Sequence, residues 1–226
     1  MRLGMDKRAI ACGVRFPISV RVNVGADAGK KLLSLVAGAK NRLVIVSPWL
    51  SPASADLIVK KQEEGVDVTV VTSNSPENRT HQEALARLIR SRRQRAHPWQ
   101  WLALPPGVSL VLGGVYLALC MTSLVAGVVS VVAGAVLCWF GSRTKTRHYS
   151  AVGTLAVMPP EPFLHAKLYV ADDKVAVSSA NFTVSGLQHN LECAAFLNGQ
   201  DVAEDAIRQV DEMTFGKAIV LRREGE

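Results

Sequence analysis

The feature that most constrains the fold of this chain is a long run without charged side chains near its middle. Residues 101–141 contain no Asp, Glu, Lys or Arg. One membrane-spanning helix needs about 20 apolar residues, so the run is long enough for two spans. Pro105 and Pro106 lie near its start, where a helix tolerates proline best, and residues 120–123 lie where a tight turn is expected. Four glycines would let two helices approach closely: Gly113, Gly114, Gly127 and Gly134.

Basic residues on both sides of this run predict its topology. Arginines precede it, and three basic residues follow it: Arg87, Arg90, Arg92, Arg93 and Arg95, then Arg143, Lys145 and Arg147. Lys and Arg favour the cytoplasmic side of a membrane, so both ends are expected there and the run must cross twice. The sequence therefore predicts a transmembrane helical hairpin. A buried hairpin in a soluble protein and a single long tilted helix are the alternatives.

The segments outside the run have the pattern of an α/β domain. Residues 43–47 and 66–72 are apolar and rich in β-branched residues, and residues 54–64 between them have helical spacing. This βαβ order implies parallel strands covered by helices. After the run, strands are predicted at 153–158, 164–171, 175–178 and 192–197, and a closing helix at 201–215.

Neither half has enough strands to close a sheet alone. Strands from both halves are therefore expected to join one mixed sheet flanked by helices. The predicted organisation places the first part of the domain at 1–96, the transmembrane hairpin at 97–141, and the second part, with the candidate site, at 142–226.

Two segments of the first half are assigned by composition. Residues 76–95 are expected to form a charged helix that leads into the apolar run, with His81 as a solvated residue on it. Residues 14–24 are expected to form an edge strand or an amphipathic surface segment.

Charge and cysteine content narrow the class of protein only in part. The net charge of +7 suits nucleic acid or an anionic membrane surface as a partner. No two of the four cysteines have metal-ligand spacing, and two of them lie in the apolar run. Reduced thiols in a cytoplasmic protein are expected, rather than a disulfide framework or a metal site.

The residues that can carry chemistry lie in one stretch, from 163 to 192. Side chains alternate along a strand, so His165 and Lys167 are expected on one side and Asp172 on the other. Ser179 and Asn181 follow at a strand end. An imidazole can attack phosphorus, and a lysine and an amide N–H can hold phosphate oxygens as charge develops.

This pattern resembles the motif of the phospholipase D superfamily, which is His-x-Lys, four residues, Asp, and then Gly-Ser-x-Asn after about six residues. His165, Lys167 and Asp172 match at the family spacing, and Ser179 and Asn181 match the Ser-x-Asn element. Two departures lie in a turn region: a serine at 178 replaces the usual glycine, and the gap after the aspartate is one residue short.

Two further segments extend the resemblance over most of the chain outside residues 1–30 and the apolar run. The tetrapeptide at 47–50, Ser-Pro-Trp-Leu, resembles the first strand and turn of the family. Asn190-x-Glu192 resembles its downstream carboxylate element.

The resemblance implies a role for each site residue. His165 would be the nucleophile of a covalent phosphoryl intermediate, and a second His165 from another copy would protonate the leaving group. Lys167 and Asn181 would bind phosphate oxygens, with Ser179 assisting. Glu192 would orient His165 and tune its basicity. No metal or other cofactor is needed in this scheme.

Asp172 belongs to the catalytic motif by resemblance, but its position in the strand pattern predicts that its side chain points away from His165 and Lys167. It is expected to fix a turn, through hydrogen bonds to backbone N–H groups.

The site of this family needs two motifs related by a twofold axis, and this chain has one. A homodimer with its site at an isologous interface is therefore expected, with an inactive monomeric relic as the alternative. The predicted protein is membrane-bound, with its catalytic domain on the cytoplasmic side.

The expected substrate is nucleic acid. Small single-motif members of the superfamily are often dimeric endonucleases, and the positive charge fits a polyanion. The alternatives are a phospholipase D or phosphatidyltransferase that acts on membrane phospholipids, and a non-catalytic phosphate-binding scaffold.

Overall fold

A computed structural model describes residues 20–95, 98–120 and 124–223. In chain order, the elements are β1 (Val20–Gly25), α1 (Ala26–Ala37), β2 (Arg42–Val46), α2 (Pro52–Glu63), β3 (Asp67–Ser73), α3 (Arg79–Leu88), β4 (Ile89–Arg95), a 3-10 helix (Pro98–Ala103), α4 (Leu104–Cys120), α5 (Leu124–Ser142), β5 (Thr144–Ser150), β6 (Thr154–Met158), β7 (Leu168–Ala171), β8 (Lys174–Ser178), a π-helical turn (Ser185–His189), β9 (Glu192–Asn198), α6 (Gln200–Thr214) and β10 (Ile219–Arg222).

The chain divides into two compact units. The first combines the described parts of Met1–Ile89 and Ser150–Glu226, and the second is Arg90–Tyr149. Within the first unit, the backbone N–H of Ala151 donates to the carbonyl of Leu88 at 2.7 Å. The chain therefore leaves this unit and returns to it at neighbouring positions.

One eight-stranded sheet forms the centre of the first unit. Its strand order is β1-β9-β8-β7-β2-β3-β6-β10. The β2–β3 and β3–β6 pairs are parallel, and the other pairs are antiparallel. Strands from before and after the apolar run are neighbours in this sheet, so the mixed sheet expected from the sequence is confirmed.

Alternating side chains of the sheet form two separate cores. On β2, Leu43 and Ile45 face a core that α1, α2 and α3 complete, whereas Val44 and Val46 face a core that α6 completes. Because both faces of the central strands are covered, β2 is apolar on both faces after Arg42. Helices therefore lie on both sides of the sheet.

The structure corrects three expectations about the elements of the chain. Residues 89–95 of the predicted charged helix are strand β4, whose backbone groups pair with β5 in a separate two-stranded sheet. Strand β7 begins at Leu168, so residues 164–167 precede it. Helix α1 and strand β10 were not predicted at all.

The edge strand expected within residues 14–24 is present as β1, which lies at the end of the sheet order. Residues 14–19 of that expectation lie outside the described residues.

The second unit contains the apolar run as two helices. A Cβ atom at Gly134 would lie 2.5 Å from the Gly107 carbonyl oxygen, and one at Gly114 would lie 2.7 Å from that of Gly127. A Cβ atom at either position would collide with the other helix, so α4 and α5 can pack closely only because these residues are glycines. Gly113, in contrast, has open space around it.

Only α5 among the described helices is long and apolar enough to cross a membrane, since the apolar part of α4, Leu104–Leu119, is shorter. The predicted turn at 120–123 falls mostly on residues outside the described ones. The transmembrane hairpin therefore stays a proposal.

His81 is fully buried, which corrects the expectation that it is solvated. Its Nδ1 accepts from the Leu50 backbone N–H at 3.1 Å, and its Nε2 lies 2.9 Å from the Ser73 carbonyl oxygen. The first bond requires an unprotonated Nδ1, so Nε2 must be the donor to Ser73. Burial holds the pKa of His81 below its ordinary value, although the Ser73 bond acts in the opposite direction.

This lowered pKa predicts an acid-sensitive fold. Below about pH 6.5 the unfolded chain binds a proton that the folded His81 ring resists, so stability falls as pH drops from 7.5 towards the folded pKa. His81→Gln should lower stability at pH 7.5 by about 2 kcal/mol, through the lost bonds and packing, and should reduce the pH dependence. Thermal unfolding in detergent at pH 7.5 and 5.5 measures both effects.

The matched control is His189→Gln, because the His189 side chain is exposed. That variant should keep the melting temperature and the pH dependence of the unchanged protein. An unchanged pH dependence in His81→Gln would contradict the assignment.

Candidate functional site

The topology of the sheet brings the chemically capable residues to one edge. Val46, the last residue of β2, pairs with Leu168, the first residue of β7. Strand β8 runs antiparallel to β7 and ends at this edge, at Ser178, which pairs with Ala194 of β9. The segments that precede or follow these strand ends therefore lie together: 47–50, 164–167, 178–182 and 190–193.

Ser47 ties the segment after β2 to the segment after β8. Its hydroxyl donates to the Trp49 carbonyl at 2.8 Å and accepts from the backbone N–H of Phe182 at 2.9 Å. Leu50 and Phe182 also form an isolated parallel bridge. These contacts fix the two loops to each other without a longer strand.

A tyrosine on β7 fixes the loop after β8 through a hydrogen bond. The Tyr169 hydroxyl is buried and donates to the Ala180 carbonyl at 2.7 Å. Burial raises the pKa of this hydroxyl, so it stays protonated and remains a donor. The loop after β8 is therefore fixed at two residues, Ala180 and Phe182.

His165 and Lys167 lie together at this edge. Lys167 Nζ donates to the backbone carbonyl of His165 at 3.0 Å and lies 3.5 Å from His165 Nδ1. The Lys167 carbonyl accepts from the Ser178 N–H at 3.1 Å, which extends the β7–β8 ladder by one residue. A cationic lysine beside an imidazole can bind the anion that the imidazole attacks.

Aromatic side chains lie beside His165. The rings of Trp49 and Phe163 have centroids 6.2 Å apart, and the rings of Phe163 and His165 are also 6.2 Å apart. The Phe163 ring is exposed. The tetrapeptide 47–50 indicated a turn here, but its sequence did not show that Trp49 lies beside Phe163, the neighbour of His165.

Asn181 presents an unused polar group at the same edge. Its Oδ1 is buried and has no hydrogen-bond partner in the described structure, as is also true of Trp49 Nε1. A Cβ at Gly186 would lie 2.5 Å from the Asn181 carbonyl oxygen, so the π-helical turn can pack against Asn181 only through a glycine. Asn181 is thus held in place, and no described group donates to its Oδ1.

The side chains of Ser179 and Glu192 are hydrogen-bonded to each other at the same edge of the sheet. The Ser179 hydroxyl donates to Glu192 Oε2 and accepts from the Cys193 N–H. The Asn190 amide donates to the other carboxylate oxygen of Glu192 at 3.1 Å. These described partners of Glu192 do not include His165, so the orientation of His165 by Glu192 stays a prediction.

Asp172 lies at the opposite end of β7. It has a φ of 55°, in the turn to β8, and its carboxylate accepts from the backbone N–H groups of Lys40, Asn41 and Arg42 at 2.8–3.0 Å. Partial burial alone would raise the pKa of Asp172, but the three backbone donors outweigh it and hold this pKa below its ordinary value. Asp172 therefore joins the β7–β8 turn to the start of β2.

The structure brings together five of the six site residues predicted from sequence: His165, Lys167, Ser179, Asn181 and Glu192. Asp172 is separated from them by the length of β7. Across the described ranges, no group of three or more His, Cys, Asp or Glu side chains could hold a metal ion.

Residues 137–214 match the family model described as "Cardiolipin synthase, PLD-like domain". The matched segment contains all six predicted site residues, and it supports a phospholipase D-like domain in this part of the chain. No curated protein matches the chain significantly.

Among solved structures, the chain is similar to the phospholipase D family member Nuc from Salmonella typhimurium, with 15% identity, 91% of this chain and 99% of that chain covered, and a TM-score of 0.49. NucT from Helicobacter pylori has 12% identity, coverage of 89% and 98%, and a TM-score of 0.49. The phosphatidylserine synthase of Haemophilus influenzae Rd KW20 has 11% identity, coverage of 91% and 40%, and a TM-score of 0.45. With TM-scores below 0.5, these similarities support no assignment of function.

The position of Asp172 predicts that its substitution lowers the stability of the fold more than it lowers the reaction rate. Asp172→Asn tolerates the positive φ but removes the charge that the three N–H donors bind, so unfolding should become easier by about 1.5–3 kcal/mol at pH 7. Because the folded pKa of Asp172 is lowered, this stabilisation is present above the unfolded pKa and is lost as pH falls through the folded pKa. The variant should therefore lose less stability than the unchanged protein between pH 5 and 3.

Melting temperatures across this pH range test the prediction. A variant that melts like the unchanged protein at pH 7 would contradict it.

Proposed function

We propose that this chain is a membrane-anchored, metal-independent phosphodiesterase of the phospholipase D type, whose substrate is nucleic acid. The observation that carries the proposal is the meeting of His165, Lys167 and Asn181 at one sheet edge. A nucleophilic ring, a cation and an amide N–H donor are the groups that attack on a phosphodiester requires, and the side-chain nitrogen of Asn181 can supply the donor.

The proposed reaction has two steps. In the first, a ring nitrogen of His165 attacks phosphorus, the bond to the leaving oxygen breaks, and His165 of the partner subunit gives that oxygen a proton. In the second, water attacks the phosphohistidine, the partner's His165 takes the water proton, and the P–N bond breaks. Lys167 and Asn181 bind the non-bridging oxygens through both steps, with Ser179 and Glu192 supporting the edge.

A homodimer is proposed because each step needs a second histidine, and the chain contains one His-x-Lys motif. An uncovered apolar surface near the site supports it. Val22 is 63% exposed, Val24 78%, Val177 51% and Leu191 82%. Val22 and Val177 flank Ala195 in one row of paired residues across β1, β9 and β8, so they share a sheet face. A second copy that covers this face would bring two edges together.

Nucleic acid is favoured by charge and by the aromatic rings near His165. The chain carries a net charge of +7, and a base next to the scissile phosphate could stack on Phe163 or Trp49. The second candidate is a lipid-directed phospholipase or phosphatidyltransferase, which is supported by helix α5, because this helix is long and apolar enough to cross a membrane. We propose that α4 and α5 anchor the chain with the catalytic unit on the cytoplasmic side.

Metal-independent cleavage is the first expected outcome. The protein in detergent, with a chelator present, should cleave single-stranded DNA or RNA and leave phospholipid vesicles intact. His165→Ala should lower the rate about 1000-fold or more, because the nucleophile and the acid are lost together. His189→Gln is the matched control and should retain the rate, because the His189 side chain is exposed. Headgroup release with nucleic acid intact would favour the lipid candidate, and no cleavage of either would favour the scaffold.

The dimer proposal predicts that a charge on the apolar face abolishes association and activity together. Val22→Glu should convert the dimer to a monomer in light scattering coupled to size exclusion, with activity reduced at least tenfold, because a buried unpaired carboxylate opposes the contact. Val220→Glu is the control, since Val220 is 48% exposed on β10 at the opposite edge of the sheet. A monomeric but fully active Val22→Glu protein would contradict the shared site.

A further inference from the structure

The two-stranded sheet of the second unit is strongly basic. Strand β4 reads IRSRRQR and strand β5 reads TKTRHYS, and β4 pairs with β5. No Asp or Glu occurs anywhere in residues 84–160. The β4–β5 ribbon therefore cannot neutralise its charge with carboxylates from its own segment.

Four cations of this ribbon are exposed and make no described ion pair. Arg90, Arg93, Lys145 and Arg147 are all exposed, and none of them forms an ion pair within the described part of the structure. Side chains alternate along a strand, so Arg90 and Arg93 point to opposite faces of β4. Close like charges repel, so an external anion on either face would relieve an unfavourable arrangement.

The sequence on both sides of the ribbon indicates which anion it meets. Strand β4 leads through the 3-10 helix into α4, and α5 leads through Arg143 into β5. The apolar side chains of these helices are exposed over much of their length: Leu112 is 66% exposed, Leu119 80% and Val125 76%. The charged ribbon thus begins where an apolar surface ends.

One contact marks this boundary directly. The Arg143 guanidinium lies 3.8 Å from the centroid of the Trp139 ring. Tryptophan with an adjacent arginine is typical of the zone between lipid tails and headgroups, where the ring is amphipathic and the cation reaches lipid phosphate. A nucleic-acid partner would explain the charge but not its continuity with exposed apolar helices.

We propose that the β4–β5 ribbon is a docking surface for the headgroups of anionic phospholipids. The cations of both faces contact lipid phosphates at the membrane surface, where each Lys or Arg adds to the attraction. The proposal rests on the membrane anchoring proposed for α4 and α5. It does not depend on the proposed chemistry at His165.

The test measures which lipid collects around the protein. The full chain is reconstituted in phosphatidylcholine vesicles that contain a few per cent of dansyl-phosphatidylglycerol or dansyl-phosphatidylcholine, and energy transfer from tryptophan to dansyl is recorded. Trp99, Trp101 and Trp139 lie next to the ribbon in sequence, so local enrichment raises the transfer. Transfer to the anionic lipid should exceed transfer to the zwitterionic lipid at least threefold, and the excess should fall in high salt.

The decisive variant converts Arg90, Arg93, Lys145 and Arg147 to Gln and should bring that ratio to about one. Replacing the three arginines by Lys keeps the charge and should keep most of the preference. The matched control removes the same charge from exposed residues of the first unit, as Lys40→Gln, Lys60→Gln, Lys174→Gln and Lys217→Gln, and should retain the ratio.

Each outcome decides the proposal. Equal transfer to both lipids in the unchanged protein, no transfer to either, or a preference that survives the four glutamines would overturn it. Loss of oligonucleotide binding in the glutamine variant with an unchanged lipid preference would assign the ribbon to nucleic acid instead. Because the readout is lipid enrichment, the result is independent of whether the protein cleaves any phosphodiester.

Discussion

The pairing of β7 between β2 and β8 determines where chemistry can occur in this molecule. Strand β7 runs antiparallel to both neighbours, so its first residue meets the last residues of β2 and β8. The loops after β2 and β8 and the segment before β7 must then share one edge. Covalently distant residues such as Trp49, His165 and Asn181 are gathered by this pairing, and no loop has to fold into a pocket on its own.

The residues at the two ends of β7 make different kinds of contact. At one end, Lys167 lies beside His165, and the Ser47 and Tyr169 hydroxyls fix the surrounding loops. At the other end, Asp172 binds three backbone N–H groups and secures the start of β2. The residues of this one motif thus lie at two ends of a four-residue strand, with His165 and Lys167, which we propose carry the chemistry, at one end and Asp172, which binds backbone, at the other.

The central fold could be predicted from sequence because apolar, β-branched segments such as 43–47 and 66–72 have few other stable structures. The joint sheet followed from counting strands in each half. The expectation that Asp172 binds backbone N–H groups matches its three hydrogen bonds, but strand parity was not the reason. His165 and Lys167 precede β7, so the length of that strand separates them from Asp172.

What could not be predicted depends on partners distant in sequence. His81 is buried because Leu50 and Ser73 lie around it, and its own helix gives no sign of them. Residues 89–95 form a strand because β5, beyond the apolar run, supplies its hydrogen bonds. The bond from Ser179 to Glu192 likewise depends on the register of β8 against β9, which the sequence does not define.

Rapid quenching can show whether His165 attacks phosphorus. The protein is mixed with a phosphodiester substrate, denatured in alkali within milliseconds, where phosphohistidine survives, and digested for mass spectrometry. We expect a phosphoryl adduct on the peptide that contains His165, and none in His165→Ala. The adduct should reach at most one per two chains, because His165 of the partner subunit acts as the acid. Turnover without an adduct on that peptide, or with an adduct on another residue, would contradict it.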